Sequence, residues 1–452
     1  MRPTPKVPVT QRSDPRSLAI TALVSDGLVT EDSPVVGLVD TDAVLERVQA
    51  LHAAFPADVR ALHTVAAKAA SLTPVLGLLA TAGMGCEVAS PGELALAVGA
   101  GFPADRIAFD SPAKTPAELR EALRLGVALN IDNREELERV VALVGAQPPT
   151  SPIGFRINPQ VGAGGIGAMS TATDTSKFGF PLRDPGARAA IIDAYLAHPW
   201  LTQIHCHVGS QGCPLPLMAT GIRDTYLLAE EINAAAGRAQ ITRIDLGGGL
   251  PVNFDSDEIT PDFPDYVAAL TAAVPELFDG RYELVTEFGR SLLAKSGMMV
   301  SRVEYVKESG GRPIAITHAG AQVATRTVFM PESWPLRIGV RNPDGSEKTG
   351  PRVVQDVAGP CCFAGDVIAR GRELPRFSAG DLAVVYDTGA YYFSTHFAYN
   401  SLPRVPVYGY RVREDRVEWS LIRRQQTIAE VVRESGVADA AALTARHEAI
   451  TP

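Results

Sequence analysis

From about residue 60 to residue 290 the chain changes its hydrophobic period repeatedly. Short apolar runs rich in β-branched and aromatic residues alternate with Ala/Leu/Glu-rich stretches whose apolar residues return at helical spacing. The runs LHTVAAK (62–68), CEVAS (86–90), RIAFD (106–110), VALNID (127–132), PIGFRIN (152–158), TQIHCHV (202–208), ITRIDL (241–246) and YELVTEF (282–288) read as strands. Segments such as PAELREALRL and IRDTYLLAEEINAAAG read as the helices between them. Eight β–α units over about 250 residues predict an α/β fold, a (β/α)₈ TIM-type barrel, here spanning residues 38–300. Beyond about residue 300 the pattern turns to β-type runs punctuated by Gly, Pro and Asp, as in PRVVQDVAG and LAVVYDTGA. That predicts a second, all-β domain over 301–452, sandwich or Greek-key-like, closed by a short helical tail.

The barrel makes its own check on function. Active-site groups of such barrels sit at the C-terminal ends of the strands. Lys68, Glu87, Arg156, His207, the Gly247–Gly249 run and Glu287 all fall at such ends.

Composition removes several classes of function. Net charge is −9 with acids and bases mixed, and no Lys/Arg block marks a nucleic-acid surface. No apolar run reaches the length of a membrane span. The opening MRPTPKVPVTQRSDPRS is Pro- and Arg-rich, with no signal-type hydrophobic stretch after it; residues 1–16 read as a loose tail. Five cysteines, an odd number without framework spacing, fit a reducing cytoplasm. HCH (205–207) offers metal-capable side chains, but no second cluster completes a zinc set, so no metal is expected.

A lysine at a strand end is ordinarily a solvated charge. In HTVAAKAA (63–70) it is followed in order by GMGCEVAS, FRINP, SKFGF, HCHVGSQ, DLGGG, EFGRSL, GPCCFAGD and GAYYFS. Together they hold an amine nucleophile, anion-cradling glycines, a flat ring, an acid and a thiol, the equipment of a pyridoxal 5'-phosphate enzyme. Their order and wording, over roughly residues 35–410, resemble the fold-type III, alanine-racemase-like decarboxylases of diaminopimelate, ornithine and arginine.

The resemblance implies roles residue by residue. Lys68 matches the lysine that carries the cofactor, which calls for a pocket that depresses its pKa. Glu87 stands where the family has Asp, near that lysine. Arg156 matches an arginine on the cofactor's phenolic side, and His207 the imidazole stacked on its ring. His205, two positions earlier, reads as a core histidine. Ser210, Gly247, Gly248, Gly249 and Tyr391 match phosphate contacts. Glu287 matches the acid facing the ring nitrogen, in EFGR where the family has EPGR; Gly289 belongs to the same cofactor segment, and Arg290 would reach phosphate or substrate. Cys362 falls at the proton donor of a Gly-Pro-X-Cys loop that, in the family, enters the neighbouring subunit's site; Cys361 beside it leaves the choice of thiol open. A cytoplasmic homodimer with shared active sites is therefore expected. By the same resemblance SLAITALVSDGLV, within residues 17–37, would add a strand to the β domain.

One position departs from the pattern in a way that bears on substrate. The residue after the catalytic cysteine is an acid in members that neutralise a distal ammonium; here it is Phe363. Leaving a buried ammonium unpaired costs several kcal/mol. Arg326 matches an arginine that diaminopimelate decarboxylases use for the distal carboxylate, while their tyrosine four residues on is Met330. The expected substrate is an α-amino acid or conjugate with an anionic or neutral far end, unless Asp366 or Glu332 replaces the missing acid. Diaminopimelate itself, a racemase or other carbanion chemistry, and a non-catalytic relative are the alternatives.

Overall fold

The computed structural model describes residues 14–145 and 148–436. The chain opens with helix α1 (Pro15–Ser25), strand β1 (Val35–Asp40) and helix α2 (Thr41–Ala54). Then come β2 (Ala61–Ala66), β3 (Gly85–Val88), β4 (Ile107–Asp110), β5 (Ala128–Ile131), β6 (Ile153–Asn158), the two-residue β7 (Phe180–Pro181), β8 (Leu201–Cys206), β9 (Arg243–Asp245) and β10 (Glu283–Phe288). Helices α3 (Thr73–Thr81), α4 (Pro91–Gly99), α5 (Pro116–Leu125), α6 (Arg134–Val144), α7 (Ala187–Ala197), α8 (Leu215–Ala236) and α9 (Phe263–Ala273) connect them. Neighbouring strands are all parallel, and pairing of β5 with β6 closes the ring β2-β3-β4-β5-β6-β8-β9-β10. All eight predicted strands are present. No described helix is long and apolar enough to cross a membrane.

Local chemistry sets these elements. α5 is bounded by a reciprocal Thr115–Glu118 capping box, Pro116 in its first turn and Gly126 in the left-handed conformation at its end. The barrel interior is unusually polar: Glu87, Asp110, Asn130, Arg156, His205, Asp245 and Glu287 are all buried. Buried charges need partners, and these groups pair with one another or with Lys68.

The second unit is a mostly-strand sheet domain. It contains β1, β11 (Gly297–Ser309), β12 (Arg312–Thr317), β13 (Ile338–Arg341), β14 (Arg352–Ala358), β15 (Val367–Pro375), β16 (Leu382–Tyr386), β17 (Val407–Arg413) and β18 (Arg416–Arg423). The long β11 pairs with β1 and β16 through its first half and with β12 through its second, with a register shift between Val303 and Tyr305. Helix α10 (Arg290–Leu293) leads out of the barrel, α11 (Ala321–Phe329) follows β12, and α12 (Ile428–Glu434) ends the described chain. Residues 1–13 of the expected loose tail, and the helical tail past 436, lie outside the described residues.

One expectation is corrected. The segment from Ser17 is helix, not strand. Asp14 accepts from the N–H groups of Arg16 and Ser17, and Pro15 occupies the first turn, so the start signal sits just ahead of the apolar run. Ala19, Ile20 and Leu23 of α1 pack on Val36, Leu38, Val300 and Val384 of the sheet. The strand that joins this domain from the N-terminal side is β1.

Candidate active site

Lys68 lies in a single 3₁₀ turn directly after β2. Its Nζ donates to both oxygens of Glu87 at the end of β3, at 2.7 and 2.6 Å. Burial lowers the Lys68 pKa, but the charge and hydrogen bonds of Glu87 outweigh it and the net shift is upward. The expectation of a depressed lysine is therefore corrected for the free side chain: here it is an ammonium held by Glu87. The turn is strapped from outside. Tyr391 donates its N–H to Ala69 O at 2.7 Å, and Ser394 Oγ donates to Ala69 O at 3.1 Å. Tyr391 does this at φ +73°, a conformation non-glycine residues rarely adopt.

His207 follows β8. Its Nδ1 accepts the N–H of Gly248 at 3.2 Å, which places the ring proton on Nε2. Burial, then the charges of Arg156 and Lys68, holds its pKa down at about 3, so the ring is neutral. Glu287 Oε2 is 3.7 Å from His207 Nδ1, while Glu287 Oε1 is buried without a hydrogen-bond partner. Burial, followed by the nearby carboxylates of Asp245 and Glu87, raises the Glu287 pKa well above its ordinary value.

The glycine run has a divided role. The Gly247 N–H is committed to Asp245 Oδ1 at 3.0 Å and that of Gly248 to His207. A Cβ on Gly248 would lie 2.0 Å from Glu287 O, and one on Gly249 1.8 Å from Gly209 O. Close approach of strand ends explains these glycines. Of the three, Gly249 lines the cavity, beside Ser210 and Gly289.

Arg156 is buried, ion-paired to Asp110, and its guanidinium lies 4.2 Å over the Phe178 ring. Arg290 stacks on Trp334 at 4.3 Å and Tyr391 at 4.5 Å; Arg326 stacks on the same rings at 5.3 and 4.3 Å. Nε and Nη2 of Arg290, and Nη1 of Arg326, are buried without partners. Burial lowers the Arg290 pKa to about 10.

These groups share one cavity of about 310 Å³, whose walls include Lys68, His207, Glu287, Arg290, Arg326 and Tyr391. A larger groove, about 520 Å³, lies outside the barrel between α6 and α7, and none of the residues given a role from the sequence lines it. The Gly-Pro-X-Cys loop stands apart from the cavity. Cys361 is buried, with burial raising its thiol pKa to about 11; Cys362 is exposed. Phe363 stacks on Phe329 at 5.7 Å, and Met330 is exposed. Asp366 is consumed by the backbone, accepting from Ala321 N and Cys361 N, both at 2.6 Å, and Glu332 is exposed. Asp366 is thus loop glue and not a replacement for the missing acid. The sequence reading missed Asp110, Asp245 and Trp334, which hold Arg156, the Gly247 turn and Arg290; Phe178 was quoted in SKFGF without a role.

The family model described as "Pyridoxal-dependent decarboxylase, pyridoxal binding domain" matches residues 41–294. The chain belongs to the pyridoxal-dependent decarboxylase family. It is 32% identical over 369 residues to the diaminopimelate decarboxylase of Pseudomonas fluorescens, covering 81% of this chain and 84% of that one. It is 31% identical over 377 residues to the enzyme of the same name from Archaeoglobus fulgidus, covering 81% and 85%. The crystal structure of diaminopimelate decarboxylase from M. jannaschii in co-complex with L-lysine superposes with a TM-score of 0.80 at 24% identity, over 92% of this chain and 94% of that one, a likeness of fold. This decarboxylase is a pyridoxal-phosphate-dependent lyase acting on an amino acid. The cavity suits the cofactor: it offers an amine at a strand end, a buried carboxylate oxygen without a partner, and arginine nitrogens without partners.

Proposed function

We propose that this decarboxylase acts on an α-amino acid bearing a distal carboxylate. The observation that carries the reading is the pair Arg290 and Arg326, stacked on one tyrosine in the cavity wall with guanidinium nitrogens left unpaired. Planar forked donors of this kind suit a carboxylate.

Bound pyridoxal phosphate supplies the electron sink for loss of the α-carboxylate. Lys68 would hold the cofactor and Glu87 would take the lysine's charge whenever it is free. The neutral His207 ring would lie flat against the cofactor, its orientation fixed by Gly248 N–H. Glu287 would present its unpaired oxygen to the ring nitrogen and hold a proton there. Ser210, Gly249 and Gly289 would line the phosphate end, while Arg156, set by Asp110, would face the phenolic side. Cys362, exposed and away from this chain's own cavity, would return the proton to Cα in a partner copy; a homodimer with shared sites is part of the proposal. A cytoplasmic location is proposed from the five free cysteines.

Diaminopimelate is favoured as the diacid by the names of the relatives. Phe363 favours a diacid, or an acylated one, without a distal ammonium, since no carboxylate follows Cys362. Carbon dioxide release from meso-diaminopimelate, 2-aminopimelate, lysine and ornithine tests both. Turnover confined to lysine or ornithine would overturn the distal-carboxylate reading. Efficient turnover of diaminopimelate would settle the second question for the relatives' substrate.

A further inference from the structure

His205 is fully buried in the barrel interior, in register with Arg156 on β6 and Asp245 on β9. Its Nδ1 lies 3.3 Å from Asp245 Oδ1. Its Nε2 lies 3.7 Å from Asp110 Oδ2 and 4.0 Å from Glu287 Oε2. Neither ring nitrogen has a hydrogen bond of good geometry, and the ring stands among three carboxylates.

The charged and titratable groups around it are Glu87 from β3, Asp110 from β4, Arg156 from β6, Asp245 from β9, Glu287 from β10, and Lys68 and His207 after β2 and β8. Two acids are already matched, Glu87 by Lys68 and Asp110 by Arg156. His207 is committed as a neutral acceptor of Gly248 N–H. What remains is one imidazole between two carboxylates, Asp245 and Glu287. A buried cluster of this kind is neutral when His205 is charged, Asp245 is ionised and Glu287 carries one proton. The directions agree: His205 lowers the Asp245 pKa against burial, to about 2, and the Glu287 pKa is raised.

We infer that His205 is a positioning residue that neutralises Asp245, so that the single proton of the cluster stays on Glu287, on the cavity side, where the ring nitrogen of the cofactor would meet it. The inference rests on the proposed placing of Glu287 under that nitrogen. Asp245 in turn holds the Gly247 N–H, so the same pair ties the proton beneath the ring to the glycine turn beside it.

The test is a pH titration of the visible absorbance of the bound cofactor in wild type, His205→Gln, and the double variant His205→Gln/Asp245→Asn. Removing His205 alone leaves the Asp245 charge uncompensated and favours the cationic form of the bound cofactor. The midpoint should rise by about 0.5–1.5 pH units. Removing both charges should return it to within about 0.3 unit of wild type. A ring that merely fills space predicts a double variant as perturbed as the single one or more so. An unmoved midpoint in His205→Gln, or a double variant no closer to wild type, would overturn the inference. If His205→Gln fails to retain cofactor, the double variant should regain it, and failure there counts against the proposal equally. Wild-type protein without a cofactor band would instead sink the placing of the cofactor, a result read before any variant is made.

Discussion

Replacing Arg326 with alanine isolates the proposed distal-carboxylate contact. The guanidinium is half-buried, 4.3 Å over Tyr391, with Nη1 buried and unpaired. Truncating one partner of a buried charge pair costs about 2–5 kcal/mol. The partial exposure of Arg326, and Arg290 beside it on the same rings, put the loss at the lower end, about 2 kcal/mol or roughly thirty-fold in kcat/KM. The loss should fall mainly on KM, because the contact is far from the bond that breaks. The assay compares 2-aminopimelate with 2-aminoheptanoate, equal in chain length but differing in the distal carboxylate, by carbon dioxide release in wild type and Arg326→Ala. The diacid should lose about thirty-fold and the neutral analogue less than about three-fold. Equal losses on both would mean that Arg326 supports the fold of Tyr391 and Trp334, and the carboxylate assignment would be wrong.

Phe363→Glu should raise kcat/KM for diaminopimelate relative to 2-aminopimelate, about ten-fold or more if the loop reaches a partner's substrate; an unchanged ratio would detach Phe363 from specificity. Lys68→Ala and Cys362→Ala proteins should each be nearly inactive, and subunit exchange between them should restore part of the activity; exchange without recovery would count against a shared site. His63 and His207 are both held neutral, with pKa values near 3, by burial first and then by His52 and Arg156 respectively. Between pH 6.5 and about 3 the unfolded chain takes up protons that the folded chain refuses, so the stability from these neutral rings is complete above 6.5 and lost as pH falls through that window. Cofactor-free protein should lose up to about 1.4 kcal/mol per ring per pH unit there, and thermal melts at pH 7 and 5 should separate; coincident melts would contradict the two neutral rings.

The barrel was legible because each of its strands is a short apolar run ending in a chemically distinctive residue. That pattern survives burial on both faces. Lys68, His207, Glu287 and Arg290 could be named from their segments because each ends a strand or begins the turn after it. Their partners could not. Asp245 meets His205 through the register of β8 on β9, Asp110 meets Arg156 across the β5–β6 closure of the ring, and Trp334 meets Arg290 through the approach of the second domain; no spacing in sequence encodes such pairs. Helix α1 was misread because the resemblance supplied a strand there, while the deciding Asp14-Pro15 start signal lies in front of the apolar run. Asp366 looked available as a charge, but only the folded loop reveals two backbone N–H groups already bound to it. Gly247 and Gly248 looked like an anion cradle, yet Gly247 is set by its N–H bond to Asp245 and the approach of Cys206 O, and Gly248 by the approach of β10 and its bond to His207.

The most direct test of the central claim is the position of the cofactor. Borohydride treatment of the holoenzyme should fix pyridoxal phosphate covalently to one lysine, and peptide mass mapping identifies which. The account predicts the peptide containing Lys68 and no other. Modification of a different lysine, with Lys68 recovered free, would contradict the site as described.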